Sequence, residues 1–360
     1  IKESESGVEG TSFTFTPDFV WIKSRVNPSA GNFHHIYDSV RGGAAGAIYP
    51  NVADEEDKFE NGFNAFVEGG FSTTNTDSFF LNSNDNSATY VAFSIKAGGA
   101  PTADNSAGQT PTNNSVFRDG VASTTAFASA DIYPTRASIS SHGFSIITYT
   151  GTTGTKSLAT GLSAAPDLAI FKRLGTAGGD WQFVTNATGS LTNHELNNTT
   201  GSGISVPISS FGADKINGLS GGGVNDGTTY VCYLFQKTPG LIGIGSYTGN
   251  SAADGPAVIV DDGASGFSPA WLLIKRATAT ENWIMFNNKS DAYNPAGRYL
   301  MPDANNAEND HSGGNDVDFL ANGFKLRSLN AGTNSSGTYI YLAFAEHPFG
   351  GDTVAQAKAR

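Results

Sequence analysis

Histidines and clustered carboxylates are the side chains in this sequence with the widest chemical scope. The histidines are His34, His35, His142, His194, His311 and His347. Only His34 and His35 are adjacent. Neighbours on a strand point to opposite faces, so this pair does not share a metal ion. The run from Asp303 to Asp318 is dense in oxygen donors of the kind calcium favours. Its candidate ligands are Asp303, Asp310, Asp316 and Asp318. Their spacing departs from an EF-hand loop, and acidic Asn/Gly loops are more often solvated turns. The first part of the chain carries a similar acidic run, Asp54-Glu-Glu-Asp57.

Catalytic arrangements are harder to find. Glycoside cleavage needs two carboxyl groups about 5–10 Å apart across a cleft. Asp261-Asp262 offers a pair, but nothing singles it out. No His-Glu-x-x-His helix or phosphate-cradling glycine loop followed by Lys-Ser/Thr occurs. Gly221-Gly-Gly223 leads into Val-Asn-Asp-Gly, a turn before a strand. The expectation is a protein that is not an enzyme, with no catalytic residues, no cofactor-binding residues and calcium as the sole conceivable cofactor.

The elements that carry these residues repeat. Pro17-Asp-Phe-Val-Trp-Ile-Lys-Ser24, Pro166-Asp-Leu-Ala-Ile-Phe-Lys-Arg173 and Pro269-Ala-Trp-Leu-Leu-Ile-Lys-Arg276 share one design. Each is a proline, an apolar run and a lysine, as in a strand buried on both faces. An aromatic-rich strand follows each: His34-His-Ile-Tyr37, Trp181-Gln-Phe183 and Trp283-Ile-Met-Phe286. Each repeat closes on Ala88-Thr-Tyr-Val-Ala-Phe93, Thr228-Thr-Tyr-Val-Cys-Tyr-Leu-Phe235 or Gly337-Thr-Tyr-Ile-Tyr-Leu-Ala-Phe344. Before the closing strand, Phe66-Val-Glu-Gly-Gly-Phe71 matches Phe319-Leu-Ala-Asn-Gly-Phe324, with Phe211 and Ile216 in the same places. An opening strand is clear in two repeats, Phe144–Gly151 and Ile242–Gly249. The first repeat lacks it, which sets an expectation of sequence upstream of Ile1.

Composition agrees with this strand-and-turn reading. Glycine numbers 44 and phenylalanine 24, while charged residues make up only 15%. Turn formers and aromatics dominate over helix formers. Only 54–59 and 353–359 read as modest helical candidates. The 33 acidic residues against 21 basic give a net charge of −12, which repels phosphate backbones and argues against nucleic acid as a partner. No segment is apolar enough for membrane insertion. Cys232 is the single cysteine, so no intrachain disulfide forms. Flanked by Val231 and Tyr233 in a closing strand, it reads as a buried, unreactive thiol.

The fold class expected is all-β, as three tandem β-sandwich (jelly-roll-like) repeats. They span 1–97, 144–240 and 241–351, with 98–143 as a linker or exchanged arm and 352–360 as a tail. Trp21, Ile170, Leu273, Tyr90, Tyr230 and Tyr339 are expected in the core. Trp181 and Trp283 stand at matched positions and read as core rather than as sugar platforms. The unmatched segments 186–207 and 303–318 are the expected receptor loops.

The ordered set of motifs resembles a β-rich repeat family of marine bacteriophage tail and other virion proteins. The residues that carry it are Pro17–Arg25, Tyr37-Asp-Ser-Val-Arg-Gly42, Lys96-Ala-Gly-Gly-Ala100, Phe144–Gly151, Asn322-Gly-Phe-Lys-Leu326 and Tyr339–Phe349. The resemblance implies lectin-like jelly-roll domains on the virion surface, as a structural protein of a tail fibre or spike that attaches to a host glycan or protein. Partners would be other virion proteins, and the chain would work as a homotrimer. The alternatives are a capsid decoration or cement protein and a secreted polysaccharide-binding or polysaccharide-degrading protein.

Overall fold

The computed structural model describes residues 15–26, 33–42, 46–56, 63–73, 88–291 and 293–346. Among them every regular element is a strand, and no helix is long and apolar enough to cross a membrane. Residues 54–56 are not helical; the rest of that expected helix, and the one at 353–359, lie outside the described residues.

The first repeat contributes β1 (Phe19–Ser24), β2 (His35–Asp38), β3 (Phe63–Val67), β4 (Gly70–Thr73) and β5 (Tyr90–Ile95). The connecting segment holds β6 (Val116–Arg118), β7 (Val121–Ala122) and β8 (Arg136–Ile139). The second repeat contributes β9 (Phe144–Thr150), β10 (Lys156–Ala159), β11 (Leu168–Arg173), β12 (Gln182–Thr185), β13 (Thr192–Glu195), β14 (Ser210–Phe211), β15 (Lys215–Leu219) and β16 (Thr229–Phe235). The third contributes β17 (Ile242–Gly249), β18 (Ala257–Ile259), β19 (Pro269–Arg276), β20 (Ile284–Asn287), β21 (Arg298–Leu300), β22 (Asn309–Asp310), β23 (Val317–Leu320), β24 (Gly323–Leu326) and β25 (Gly337–Ala345).

One strand order recurs. It is β2-β1-β5 in the first repeat, β12-β11-β16-β9 in the second and β20-β19-β25-β17 in the third. The Pro-apolar-Lys strand is always central, between the aromatic strand and the closing strand. Its unbroken apolar run matches its burial on both faces. The matched aromatics before the closing strand pair across hairpins, as Phe66↔Phe71, Phe211↔Ile216 and Phe319↔Phe324. Opening and closing strands carry stacked tyrosines, with ring centroids 5.2 Å apart for Tyr149–Tyr230 and 5.0 Å for Tyr247–Tyr339.

The chain divides into two compact units. The N-terminal unit comprises Lys2–Val184 and Val206–Phe235; the C-terminal unit comprises Thr185–Ser205 and Gln236–Arg360. This division cuts across the sequence repeats, because the second repeat's 185–205 segment belongs with the third repeat. In the C-terminal unit one core draws on two sheets. Leu272, Ile274, Phe286 and Tyr341 of the larger sheet meet Val258, Phe324, Leu326 and Val317 of β18-β24-β23. In the N-terminal unit, Val20, Ile22, Tyr37 and Tyr90 pack with Phe63 of the β3-β4 hairpin.

Part of the 98–143 segment forms sheet within its own chain. β8 pairs with the opening strand β9, and β6 pairs in parallel with β8, so the segment widens the second repeat's sheet. Phe127 and Ile132 are buried, and Ile132 bridges to Leu158. Val116, Ala137 and Ile139 are buried as well, and the ladder hydrogen bonds of β8 go to an edge that β9 would otherwise expose.

Candidate functional site

Each central strand carries a buried lysine as its penultimate residue. Lys23, Lys172 and Lys275 have no exposed surface, and burial pulls each amine down to about 8. An ammonium in such a place needs compensating dipoles. Lys172 Nζ donates to Gly179 O at 2.8 Å and stands 5.8 Å from the centroid of the Trp181 ring. Lys275 Nζ donates to Thr199 O at 2.6 Å and to Glu281 O, and stands 5.8 Å from the Trp283 centroid. The tryptophan at the head of the aromatic strand thus gives the lysine a π-face, worth about 2 kcal/mol when desolvated.

The same two tryptophans reach backward along the chain. Trp181 Nε1 donates to Tyr49 O at 2.9 Å, and Gly178 N donates to Ala53 O at 3.0 Å. Trp283 Nε1 donates to Glu195 O at 3.0 Å, and Glu281 N donates to Thr199 O at 2.9 Å. In each case the two accepting carbonyls lie four residues apart, in the segment that follows the preceding repeat's aromatic strand. Gly178 and Glu281 each lie six residues after the buried lysine. At each junction the tryptophan indole and the amide six residues after the lysine therefore read two main-chain carbonyls of the preceding repeat. At the later junction Gly201 must be glycine, since a Cβ would collide with the backbone of Ala279.

The first repeat departs from this plan. His34 takes the tryptophan's place, and its Nδ1 accepts from Trp21 Nε1 at 2.9 Å. Its amide donates to Asn51 Oδ1 at 3.1 Å, as the Trp283 amide donates to Asp303 Oδ1 at 3.2 Å. The adjacent His35 packs edge-on against Tyr49, so the two rings serve packing in different places.

The earlier junction carries a second, ionic feature. Asp38 Oδ1 accepts the amides of Val40 and Arg41, and Asp38 Oδ2 takes Arg41 Nε at 2.7 Å and Tyr233 OH at 2.7 Å. The Arg41 guanidinium also reaches Glu56 Oε1 at 2.6 Å, Gly46 O and Ile36 O. At the corresponding places, Thr185 and Asn287 cap the next turn with neutral oxygens.

The four candidate calcium ligands do not converge. Asp303 caps the Trp283 amide, with its carboxyl pushed up to about 6 by burial. Asp310 lies in β22 opposite Arg298, Asp316 faces His311, and Asp318 is paired with Arg327 at 2.6 Å. Among the described residues no three His, Cys, Asp or Glu side chains are placed to hold a metal ion. Of the two expected receptor loops, 186–207 is largely structural: Asn193, His194 and Leu196 are buried, and its carbonyls are held by Trp283 and Lys275. The 303–318 loop keeps exposed residues, His311 among them.

Trp21, Ile170, Leu273, Tyr90, Tyr230, Tyr339, Trp181 and Trp283 are all buried, as is Cys232, whose thiol burial pushes upward. What the sequence reading missed was that the main-chain carbonyls of Tyr49 and Glu195 accept from the two indoles. Backbone acceptors leave no mark on residue type. The signal available was the invariant lysine, a charge at the end of a doubly buried strand.

This geometry defines an all-β protein built on a recurring strand cassette, with a buried lysine–tryptophan pair at the same place in the second and third cassettes. Its sequence matches, over residues 2–348, the family described as a domain of unknown function, DUF7483, and the chain belongs to that family. No curated protein and no solved structure matches it.

Proposed function

We propose that this chain is a non-enzymatic structural protein of a bacteriophage virion surface, in a tail fibre or spike. It displays three β-sandwich repeats for attachment to a host glycan or protein. The observation that carries this reading is the recurrence of the lysine–tryptophan junction. In the second and third repeats it spends a buried tryptophan on a main-chain carbonyl of the preceding repeat, which is the economy of a display scaffold. The motif resemblance to marine phage virion proteins supports the same reading. The loops that differ between repeats supply the attachment surface, above all 288–297 and 303–318, where Tyr293 is 87% exposed. Copies assemble as a trimer beside other virion proteins, so that weak single sites add up.

Imaging of particles labelled with an antibody to this chain tests the position. Label on tail fibres or spikes is the expected result; label spread over the capsid would replace the reading with a decoration protein. A glycan array and a polysaccharide turnover assay on the purified chain separate binding from cleavage.

A further inference from the structure

The second and third repeats share a two-sheet frame but differ along one side of it. In the second repeat the opening strand β9 has β8 along its outer edge, and Thr135 N donates to Thr148 O at 2.7 Å. Earlier in the same segment, Ile132 lies along β10 of the smaller sheet. Its amide donates to Ser157 O and its carbonyl accepts from the Ala159 amide, each at 2.9 Å. Residues 131–139 thus close one side of both sheets, and Ala159 is fully buried.

The third repeat has the same strands with that side open. β17 is the end strand of β17-β25-β19-β20-β21-β22, and β18 is the end strand of β18-β24-β23. By register, Ser246 holds the place of Thr148, and Ala257 and Ile259 hold those of Ser157 and Ala159. The Ile244 amide points away from β25, to Asp261 O at 3.0 Å. The alternation of an antiparallel ladder turns the main-chain groups of Ser246 and Thr248 to the same side. Among the described residues nothing pairs with those groups, nor with Ala257 O and Ile259 N. Ser246, Thr248 and Ala257 are exposed, and Ile259 is 61% exposed where Ala159 is 0%. Residues 236–241, all that separates β16 from β17, are fewer than the 131–139 cover they would have to replace. Open edges are ordinarily blunted by charge, proline or shortness. The far edge of the larger sheet follows that rule, since β22 has two residues and ends on Asp310. β17 does not: its eight residues carry no charge and no proline.

We infer that the open side of β17 and β18 is a strand-accepting site for a protein partner. The partner has the chemistry of 131–139. An aliphatic residue bridges β18 as Ile132 bridges β10, and a short run like Arg136-Ala-Ser-Ile139 then pairs antiparallel with β17 as β8 pairs with β9. Main-chain hydrogen bonds supply the attachment, and Ile259 adds an apolar contact. The occupant is a polypeptide strand because a polypeptide strand covers the same side of the sister repeat. The inference goes beyond the attachment reading and does not depend on it.

The test adds a synthetic peptide of residues 129–140, Ser-Ala-Asp-Ile-Tyr-Pro-Thr-Arg-Ala-Ser-Ile-Ser, to the intact chain and follows its backbone amides by NMR and hydrogen exchange. Exchange at Ser246, Thr248 and Ile259 is expected to slow on the order of tenfold at saturation, and a scrambled peptide is expected to change nothing. Ser246→Pro removes an outward donor from an edge that tolerates proline, so it is expected to keep the melting temperature and weaken the peptide's effect. Ile259→Lys places a charge on the other sheet's edge and is expected to weaken binding in the same way. No protection at millimolar peptide would overturn the site. So would equal binding to a variant that carries both substitutions. Protection gained only at Thr148 and Ala159 would show the peptide replacing its own counterpart in the second repeat. Amides of β17 and β18 already protected on this side without peptide would show it covered within the chain or by a second copy. Either result rejects a separate partner.

Discussion

The junction at Trp181 and the junction at Trp283 use one sequence plan in two ways. Both bury a lysine under a tryptophan and both read two carbonyls four residues apart. At Trp181 the lysine turns inward to Gly179 O of its own repeat, and the ionic set of Asp38, Arg41, Glu56 and Tyr233 adds cross-repeat contacts. At Trp283 that set is absent, and the lysine itself grips Thr199 O of the preceding repeat. The difference teaches that the cassette specifies where repeats join, while neighbouring residues decide which charge holds the joint.

The sharpest way to break the comparison is to remove each tryptophan. Trp181→Ala and Trp283→Ala should each cost about 3–5 kcal/mol by chemical denaturation. Each variant should lower the transition of its own unit. A loss confined to one transition for both variants would mean that the junctions are not equivalent.

Removal of Arg41 comes next. Arg41→Met strands two buried carboxylates and should cost about 3 kcal/mol or more. Ser290, the corresponding residue in the third repeat, should cost about 1 kcal/mol or less as alanine. Equal effects in melting experiments would show that the ionic set does not distinguish the two joints.

Asn51 and Asp303 sharpen the comparison through pH. Burial raises the Asp303 carboxyl from 3.8 to about 6, opposed by Lys275. The folded state therefore favours its protonated form. The associated stability is present below pH 4 and is lost as pH rises through 6. Asp303→Asn should therefore be neutral near pH 4 and stabilising by about 2 kcal/mol at pH 8. Asn51→Asp should show the reverse trend above pH 6. Melting curves at the two pH values check both.

The smallest expected effect concerns Cys232. Its thiol should react with a thiol reagent only as fast as the chain unfolds. Rapid modification of the native protein would contradict its burial in β16.

Much of the fold was legible because strand residues announce their surroundings. The unbroken apolar runs at Phe19–Ile22, Leu168–Phe171 and Trp271–Ile274 read as strands buried on both faces, which they are, while their central place and the pairing of the matched aromatics came from the sheets. The sites were less legible. The acidity of 303–318 suggested a shared ion, but the strands send Asp303, Asp316 and Asp318 to separate partners. The 186–207 segment varied between repeats and so looked displayed, although its backbone carbonyls carry a joint.

The sequence by itself determined the all-β class, the cassette order and the core positions, since periodicity and side-chain type encode burial directly. Tertiary structure alone decided where one folded unit ends and the next begins. It drew residues 185–205 into the C-terminal unit and set β6, β7 and β8 of the 98–143 segment into the second repeat's sheet. Both outcomes rest on hydrogen bonds to main-chain groups, which every residue carries alike and which only three-dimensional proximity can assign.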